Sequence, residues 1–333
     1  MCFPAQPSHS VLRKKMSNRT TVTEFLLLGF SDIRELQILH FVVFLIIYLA
    51  GLLGNLLIIT AIAHNHYLHT PMYFFLVNLA ILDLGSISVT VPKSMVNSLM
   101  NTRVISYSGC VAQIFLFMFL GSADLGILTV MAYDRYVAIC QPLHYERVMN
   151  RRACVQMAAS VWISGILYSA LHTGNTFALS LCGGNVVDQF FCAIPQLLKL
   201  ACSDSDLSET GVIVFSACLA LSCFVLIIVS YVQIFRSVLR IPTAQGRQKA
   251  FSTCLPHITV VSLYVSTGII AYLKPNSRSI SHLDLVVDVF YSMVPPMLNP
   301  IIYSMRNKEI KAALRKLIGR KLFTTKKMSI FLF

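Results

Sequence analysis

Seven long apolar stretches constrain the fold of this chain more than any other feature of its sequence. A transmembrane helix needs roughly 20 mostly apolar residues, and each stretch is about that long. The pattern predicts an all-α fold in which seven transmembrane helices form one bundle. In chain order the stretches are Leu39–Ala63, Met72–Val91, Cys110–Val130, Ala153–Leu171, Gly211–Ile234, Ala250–Tyr272 and Val286–Met305.

The composition agrees with a membrane protein. Of the 333 residues, 56% are hydrophobic and 12% are charged, whereas about a quarter of the residues of a soluble domain are charged. A transmembrane β-barrel would show shorter segments of alternating polarity, and the sequence shows none. We therefore divide the chain into an amino-terminal segment, residues 1–38, a membrane domain, residues 39–306, and a tail, residues 307–333. Residues 1–15 precede a second methionine, Met16, and form a candidate extension.

The distribution of lysine and arginine predicts the orientation. With the amino terminus outside, the inner loops and the tail carry most of the basic residues, among them Arg147, Arg240 and Lys249. This is the bias of cytoplasmic loops. The sequence thus predicts a multi-pass plasma-membrane protein with an extracellular amino terminus, where Asn18 begins an N-glycosylation sequon. The net charge of +13 fits contact with the anionic cytoplasmic leaflet, and no basic stripe with interleaved aromatic residues indicates nucleic-acid binding.

The start of the tail follows the helical period. Ile310, Ala313, Leu314 and Leu317 recur at i, i+3, i+4 and i+7, with basic residues between them. An apolar stripe beside a basic face is typical of an amphipathic helix on a membrane surface. We expect a short amphipathic helix here, and a solvated surface helix is the alternative.

Nine of the ten cysteines, all except Cys2, divide by their predicted side of the membrane. Four lie on the outer side, where disulfides persist, and these are Cys110, Cys182, Cys192 and Cys202. Four cysteines allow three pairings, among which spacing does not choose. The cysteines in spans or near the inner face are expected to stay reduced as small hydrophobic side chains; they are Cys140, Cys154, Cys218, Cys223 and Cys254.

Two acidic residues lie inside predicted spans. Asp83 is in the middle of the second stretch, and Asp124 in the third is roughly 16 Å along the helix from Arg135. Two carboxylates at similar depth cannot both stay ionised in a dry site without a cation or protons. With Asn55 and Asn299 nearby in depth, the oxygen atoms suit a small hard cation. A pair of neutral, hydrogen-bonded acids that ties helices together is the alternative.

The pair Asp134-Arg135 lies at the inner end of the third stretch. A charge at this position is costly, so its presence indicates a function. An arginine held by its neighbour in one state and released in another forms a bistable element. An ordinary ion pair at the membrane surface is the alternative reading of an isolated Asp-Arg dipeptide.

The sequence contains no enzyme signature. It has no Gly-rich phosphate loop, no His-Glu-x-x-His metal motif and no nucleophile elbow. Internal repeats, which transporters usually show, are also missing, so a channel or transporter with Asp83 and Asp124 on its path is a minor alternative. We expect a protein that is not an enzyme.

Five segments together resemble one family. The chain is similar to the olfactory receptors, a branch of the rhodopsin-like (class A) G-protein-coupled receptors, over about residues 18 to 320. The resemblance implies an odorant receptor that binds small volatile molecules and activates a stimulatory heterotrimeric G protein to raise cyclic AMP. The segments that carry it are Leu68–Leu76, Met131–Cys140, Ser230–Tyr231, Lys249–Cys254 and Pro296–Tyr303.

The resemblance also implies roles for single residues. Cys110 would pair with Cys192, and Cys182 with Cys202. Asp83, Asp124 and Asn299 would form a sodium site, and no other cofactor is expected. Asp124 stands where the family usually has glutamate. The G-protein switch would consist of Asp134, Arg135, Tyr136, Tyr231 and Tyr303.

Ligand contacts are expected from the outer halves of the third, fifth, sixth and seventh spans. Most of the side chains there are apolar with a few hydroxyl groups, which suits small molecules held mainly by shape. A rhodopsin-like receptor for a non-volatile small ligand outside the olfactory epithelium is the alternative. The expected ligand residues are Phe117, Met118, Gly121, Ser122, Phe215, Leu219, Tyr264, Thr267, Gly268 and Val289.

Overall fold

A computed structural model shows the architecture. It describes the residues 23–28, 33–180, 184–187, 189–202, 206–272 and 282–317.

Seven long helices, numbered α1 to α7 in chain order, form the bundle in the described part of the chain. This confirms the predicted all-α fold. By length and composition α1 to α4 and the Thr210–Leu239 part of α5 are suited to cross a membrane, while α6 and α7 have 29 and 25 residues. A short helix α8 follows at residues 308–317. The seven long helices are Arg34–Ala63, Pro71–Met100, Tyr107–Cys140, Arg151–Ala178, Asp206–Leu239, Ala244–Tyr272 and His282–Arg306.

Local capping sets where several helices begin and end. α2 starts with Pro71 at its first turn, where the missing N–H costs nothing, and ends at Asn101, whose φ of 51° is left-handed. The Ser106 hydroxyl accepts a hydrogen bond from the Gly109 amide at the start of α3. The Asn150 side chain does the same for Ala153 at the start of α4. Such side chains satisfy amide groups that the first helical turn leaves without partners.

α3 lies in the centre and contacts α2, α4, α5 and α6. Small residues bring the helices together: a Cβ atom at Gly126 would lie 2.7 Å from Cγ1 of Val161 in α4. The Trp162 indole donates a hydrogen bond of 3.1 Å to the Asn78 side chain and thereby links α4 to α2. Packing of this kind, rather than hydrophobicity, joins helices in lipid.

Three short strands cover one end of the bundle. β1 (Glu24–Leu27) is the central strand. It pairs antiparallel with β2 (Val104–Ser106) and parallel with β3 (Val186–Val187). The Phe25 and Leu27 side chains of β1 are buried beneath the sheet. The sequence did not predict this sheet, which joins the amino-terminal segment to two loops that are distant in the chain.

At the opposite end, α8 packs against the bundle. Ile310 and Ala313 of its apolar stripe are fully buried in the core. Tyr73 at the start of α2 donates a hydrogen bond to Glu309 and accepts one of 3.1 Å from the Asn307 side-chain amide. The Asn307 side chain also accepts hydrogen bonds from the Glu309 and Ile310 amides and so caps α8. The predicted amphipathic helix is therefore present, with part of its stripe docked on the bundle.

Candidate functional site

A disulfide joins α3 to the loop between α4 and α5. Cys110 and Cys192 are bonded, with their Cα atoms 5.5 Å apart. Cys202 is also disulfide-bonded, while Cys182 and the glycosylation candidate Asn18 lie outside the described residues. The five cysteines expected to be reduced, Cys140, Cys154, Cys218, Cys223 and Cys254, are free.

The residues before Cys192 place aromatic rings over the bundle. Phe190 and Phe191 are buried with ring centroids 4.8 Å apart. Phe117 of α3 lies 5.2 Å from Phe191, and Val289 of α7 packs against the same cluster. Two of the predicted ligand residues therefore line one aromatic cluster beneath the loop.

Deeper residues of the predicted ligand site connect α3 with α6. The Tyr264 hydroxyl donates a hydrogen bond of 2.7 Å to the Gly121 carbonyl. Thr267 is buried, and its hydroxyl bonds to the carbonyls of its own helix at Leu263 and Tyr264. A Cβ atom at Gly268 would meet no described atom within 4 Å. This region thus contains one polar contact between α3 and α6.

The remaining predicted ligand residues lie apart from this region. Met118 packs against the cluster around the disulfide. The Ser122 hydroxyl bonds to the Phe119 carbonyl of its own helix and lies beside Gly165 of α4. Phe215 and Leu219 are 51% and 42% exposed on α5, so the structure separates them from the buried contacts of the site.

An apolar crevice of about 580 Å³ runs along the first turns of α3. Its lining includes Val111, Phe115 and Leu116 of α3 and Thr173 of α4. None of its lining residues belongs to the predicted ligand set. It lies on the side of α3 that faces α4.

Two of the three residues of the predicted ion site contact each other in the middle of the bundle. The Asn299 amide of α7 donates hydrogen bonds of 3.1 Å to both carboxylate oxygens of Asp83 in α2. The carboxyl groups of Asp83 and Asp124 interact electrostatically. The Oδ1 atoms of Asp124 and Asn299 are buried without a hydrogen-bond partner in the described structure. Asn55 instead donates to the carbonyls of Gly51 and Pro296.

The Asp134–Arg135 pair lies at the inner end of α3. The Arg135 guanidinium donates hydrogen bonds to one carboxylate oxygen of Asp134 through Nε, at 3.0 Å, and through a terminal nitrogen. The other oxygen accepts a hydrogen bond of 2.8 Å from Tyr145, in the short helix Tyr145–Val148 of the inner loop. Burial, together with the adjacent Asp134 carboxylate, raises the pKa of the Tyr145 hydroxyl, so Tyr145 remains a donor at physiological pH.

A second polar link crosses the inner half of the bundle. His257 of α6 is buried; its Nε2 lies 3.0 Å from the Leu128 carbonyl of α3, and its Nδ1 lies 2.5 Å from the Tyr231 hydroxyl of α5. Because a carbonyl only accepts, Nε2 carries the proton and Tyr231 donates to Nδ1. The hydroxyl of Tyr303 is buried without a partner among the described residues. Tyr136 and Tyr231 pack against the same apolar cluster.

Comparison with known proteins identifies the family. Residues 44–321 match the family model described as "Olfactory receptor". Olfactory receptor 14A16 of Homo sapiens is 54% identical over 307 residues, which cover 92% of this chain and 99% of that protein. Olfactory receptor 14J1 of Homo sapiens is 51% identical and covers 95% and 98%. The chain belongs to the olfactory receptor family.

The solved structures agree on the fold. The crystal structure of squid rhodopsin matches with a TM-score of 0.62 at 17% sequence identity, covering 86% of this chain and 81% of its own. This likeness shows the class A bundle. The chain is thus a multi-pass plasma-membrane receptor and not an enzyme, as expected, and its family implies an odorant ligand and coupling to a G protein.

Sequence reasoning missed three residues of this receptor: Gln113, Tyr145 and His257. Gln113 is buried and connects α3 both to α2 and to the outer loop. A signal for two of them was present, because a polar side chain within an apolar span indicates a function by default. Gln113 and His257 each interrupt such a span.

Proposed function

We propose that this receptor binds a small volatile odorant within the bundle and activates a stimulatory heterotrimeric G protein, which raises cyclic AMP. The observation that carries the proposal is the arrangement along α3. Phe117 lies under the disulfide-linked outer loop, while the Asp134–Arg135 pair lies at the inner end of the same helix. A single rigid helix therefore connects a candidate ligand site with a candidate G-protein site.

The candidate ligand site consists of Phe117, Gly121, Tyr264, Thr267 and Val289. Its walls are mostly aromatic or aliphatic, and the hydroxyl groups of Tyr264 and Thr267 are engaged in protein hydrogen bonds. A ligand that breaks the bond from Tyr264 to Gly121 would change the contact between α3 and α6. Such a site favours small, mainly apolar molecules with one hydrogen-bonding group.

At the inner end, α6 is held to α3 and α5 through His257. Outward movement of α6 requires both hydrogen bonds of His257 to break, and it opens the face on which Arg135 lies. Arg135, released from Asp134, then meets the G protein, with Tyr136, Tyr231 and Tyr303 around it. A ligand shifts this equilibrium only by its different affinity for the two conformations.

We further propose that Asp83, Asp124 and Asn299 hold a sodium ion in the resting receptor. The unpartnered Oδ1 atoms of Asp124 and Asn299 and the carboxylate of Asp83 are the hard oxygen ligands that such a cation takes. The cation would supply the positive charge that two neighbouring buried carboxylates lack. The three residues lie on α2, α3 and α7, so a sodium ion bound between them would favour one arrangement of these helices.

The proposed orientation places the amino terminus outside. The disulfide of Cys110 and Cys192 supports this, because such bonds form and persist in oxidising compartments, and it lies at the same end as β1. Asn18, five residues before the first described residue, would then be accessible for glycosylation.

The test is an odorant screen with and without the switch arginine. Cells that express the receptor are exposed to a chemically diverse library of volatile molecules and non-volatile metabolites, and cyclic AMP is recorded at matched surface density. We expect Arg135→Ala to abolish the response of an active odorant, while Lys199→Ala, which removes a charge from the outer loop, retains it. An unchanged response of Arg135→Ala refutes the switch. Responses to non-volatile metabolites alone would assign the receptor to a different class of ligand.

A further inference from the structure

We propose that Gln113 is a positioning residue that holds the segment Phe190–Cys192 as a roof over the ligand site and thereby limits the size of the molecule that enters. The proposal rests on the proposed function for the identity of the ligand residues. The position of the roof itself does not depend on which ligand binds, so it can be measured without any odorant.

Gln113 uses both ends of its side-chain amide. It lies one helical turn after Cys110 on α3 and is 6% exposed. Its Oε1 accepts a hydrogen bond of 2.8 Å from the Cys192 backbone amide, and its Nε2 donates one of 3.0 Å to the Val89 carbonyl in α2. The side chain therefore joins two helices and the outer loop at one buried point.

Pro92 loosens the helical turn to which the Val89 carbonyl belongs. A proline within a helix removes one backbone hydrogen bond and bends the helix, which opens the carbonyls of the preceding turn. Pro92 lies inside α2, three residues after Val89. Gln113 supplies a donor to this turn, and it is itself fixed in place by doing so.

The disulfide alone does not orient the roof. It attaches Cys192 to α3 at one point, while the Leu28 amide holds the other end of the segment through a hydrogen bond of 2.9 Å to the Gln189 carbonyl. The hydrogen bond from the Cys192 amide adds a second point one turn further along α3. Phe117, another turn along the same face, contacts Phe191, and Phe190 lies 6.4 Å from Phe44 of α1. The second attachment thus fixes where both rings lie above the site.

Three variants separate this role from general stability. Gln113→Met keeps the length of the side chain and removes both hydrogen bonds. Gln113→Glu keeps the acceptor for the Cys192 amide and, because burial favours the protonated carboxyl group, also keeps a donor for Val89. Asn78→Leu is the matched control, because it removes the buried hydrogen bond to Trp162 between α2 and α4, away from the roof.

The first measurement is amide hydrogen exchange of the segment 189–197, on purified full-length receptor whose disulfides and thermal unfolding are verified. We expect exchange to be about tenfold faster in Gln113→Met, because the Cys192 amide loses its acceptor. Gln113→Glu should stay within about threefold of wild type, and Asn78→Leu should equal it. Wild-type exchange in Gln113→Met, or equal acceleration by Asn78→Leu, would overturn the proposal. If Gln113→Glu does not fold, the comparison of Gln113→Met with Asn78→Leu decides.

The second measurement is the rate at which reagents of two sizes reach the ligand site. Phe117→Cys is labelled with a small and a bulky methanethiosulfonate, and modification of that residue is quantified by mass spectrometry apart from the natural cysteines. Adding Gln113→Met should raise the rate of the bulky reagent relative to the small one by about tenfold. A purely structural defect would raise both rates alike, and an unchanged ratio contradicts a roof that limits size.

Discussion

Replacing His257 with leucine tests the link between α3, α5 and α6. The imidazole makes two buried hydrogen bonds, of 3.0 Å to the Leu128 carbonyl and of 2.5 Å to the Tyr231 hydroxyl. Each contributes about 1 kcal/mol net, and both break when α6 moves outward. Leucine makes neither, so the equilibrium shifts toward the signalling conformation by about 2 kcal/mol, or roughly 30-fold. If about 1% of receptors signal at rest, the variant raises that share to about a quarter.

The assay is cyclic AMP without odorant, compared at matched surface density. His257→Leu should show the large increase, and Tyr231→Phe, which removes one of the two bonds, should shift the equilibrium by about fivefold. Thr259→Val is the matched control on the same helix, because the Thr259 hydroxyl bonds only to its own helix at Leu255 among the described contacts. Basal cyclic AMP of His257→Leu no higher than that of wild type would refute the reasoning.

Three further predictions concern other polar groups. Sodium in place of choline should lower the basal activity of the wild type and leave Asp124→Asn unaffected; equal wild-type signalling in both salts would remove the ion site. Tyr73→Phe should destabilise the receptor by about 1 kcal/mol, because the bond to Glu309 and the bond from Asn307 are lost, and lower its melting temperature by about 2–4 °C. The exposed Tyr67→Phe is the control, and an unshifted melting temperature speaks against the α8 contact. The pKa of the Tyr145 hydroxyl is raised above the usual tyrosine value of roughly 10. Its hydrogen bond to Asp134 is therefore present below about pH 10 and is lost only as the pH rises through the raised pKa. The stability cost of Tyr145→Phe, about 1 kcal/mol, should therefore be constant from about pH 6 to about pH 9, and a cost that vanishes within this window argues that the hydroxyl titrates.

The sequence predicted the helices well because the membrane imposes their length and composition. The third stretch was predicted to end at Val130, yet α3 continues to Cys140. The apolar run ends shortly before Asp134 and Arg135, but the helix continues through them. The two side chains form an ion pair, and Asp134 also accepts a hydrogen bond from Tyr145. An apolar count alone therefore underestimates a helix whose end carries paired charges.

The polar links of Gln113 and His257 were harder to predict because most of their partners are backbone atoms. His257 binds the Leu128 carbonyl, and Gln113 binds the Val89 carbonyl and the Cys192 amide. Every residue has such atoms, so no residue type marks the partner in the sequence. The strand β1 was missed for the same reason, since its pairing depends on loops about 80 and 160 residues away along the chain. The ion site stays a prediction, and it could be made at all because its carboxyl and amide side chains are visible in the sequence.

The central position of β1 has a practical consequence for recombinant work on this protein. Backbone amides of Leu26, Leu27 and Leu28 bond to carbonyls on both neighbouring segments, so deleting the residues before α1 would leave two short strands without anything between them. Affinity tags are best added upstream of Thr23 and should not replace the amino-terminal segment. A shortened version should reach the surface in smaller amounts, even though every span is intact.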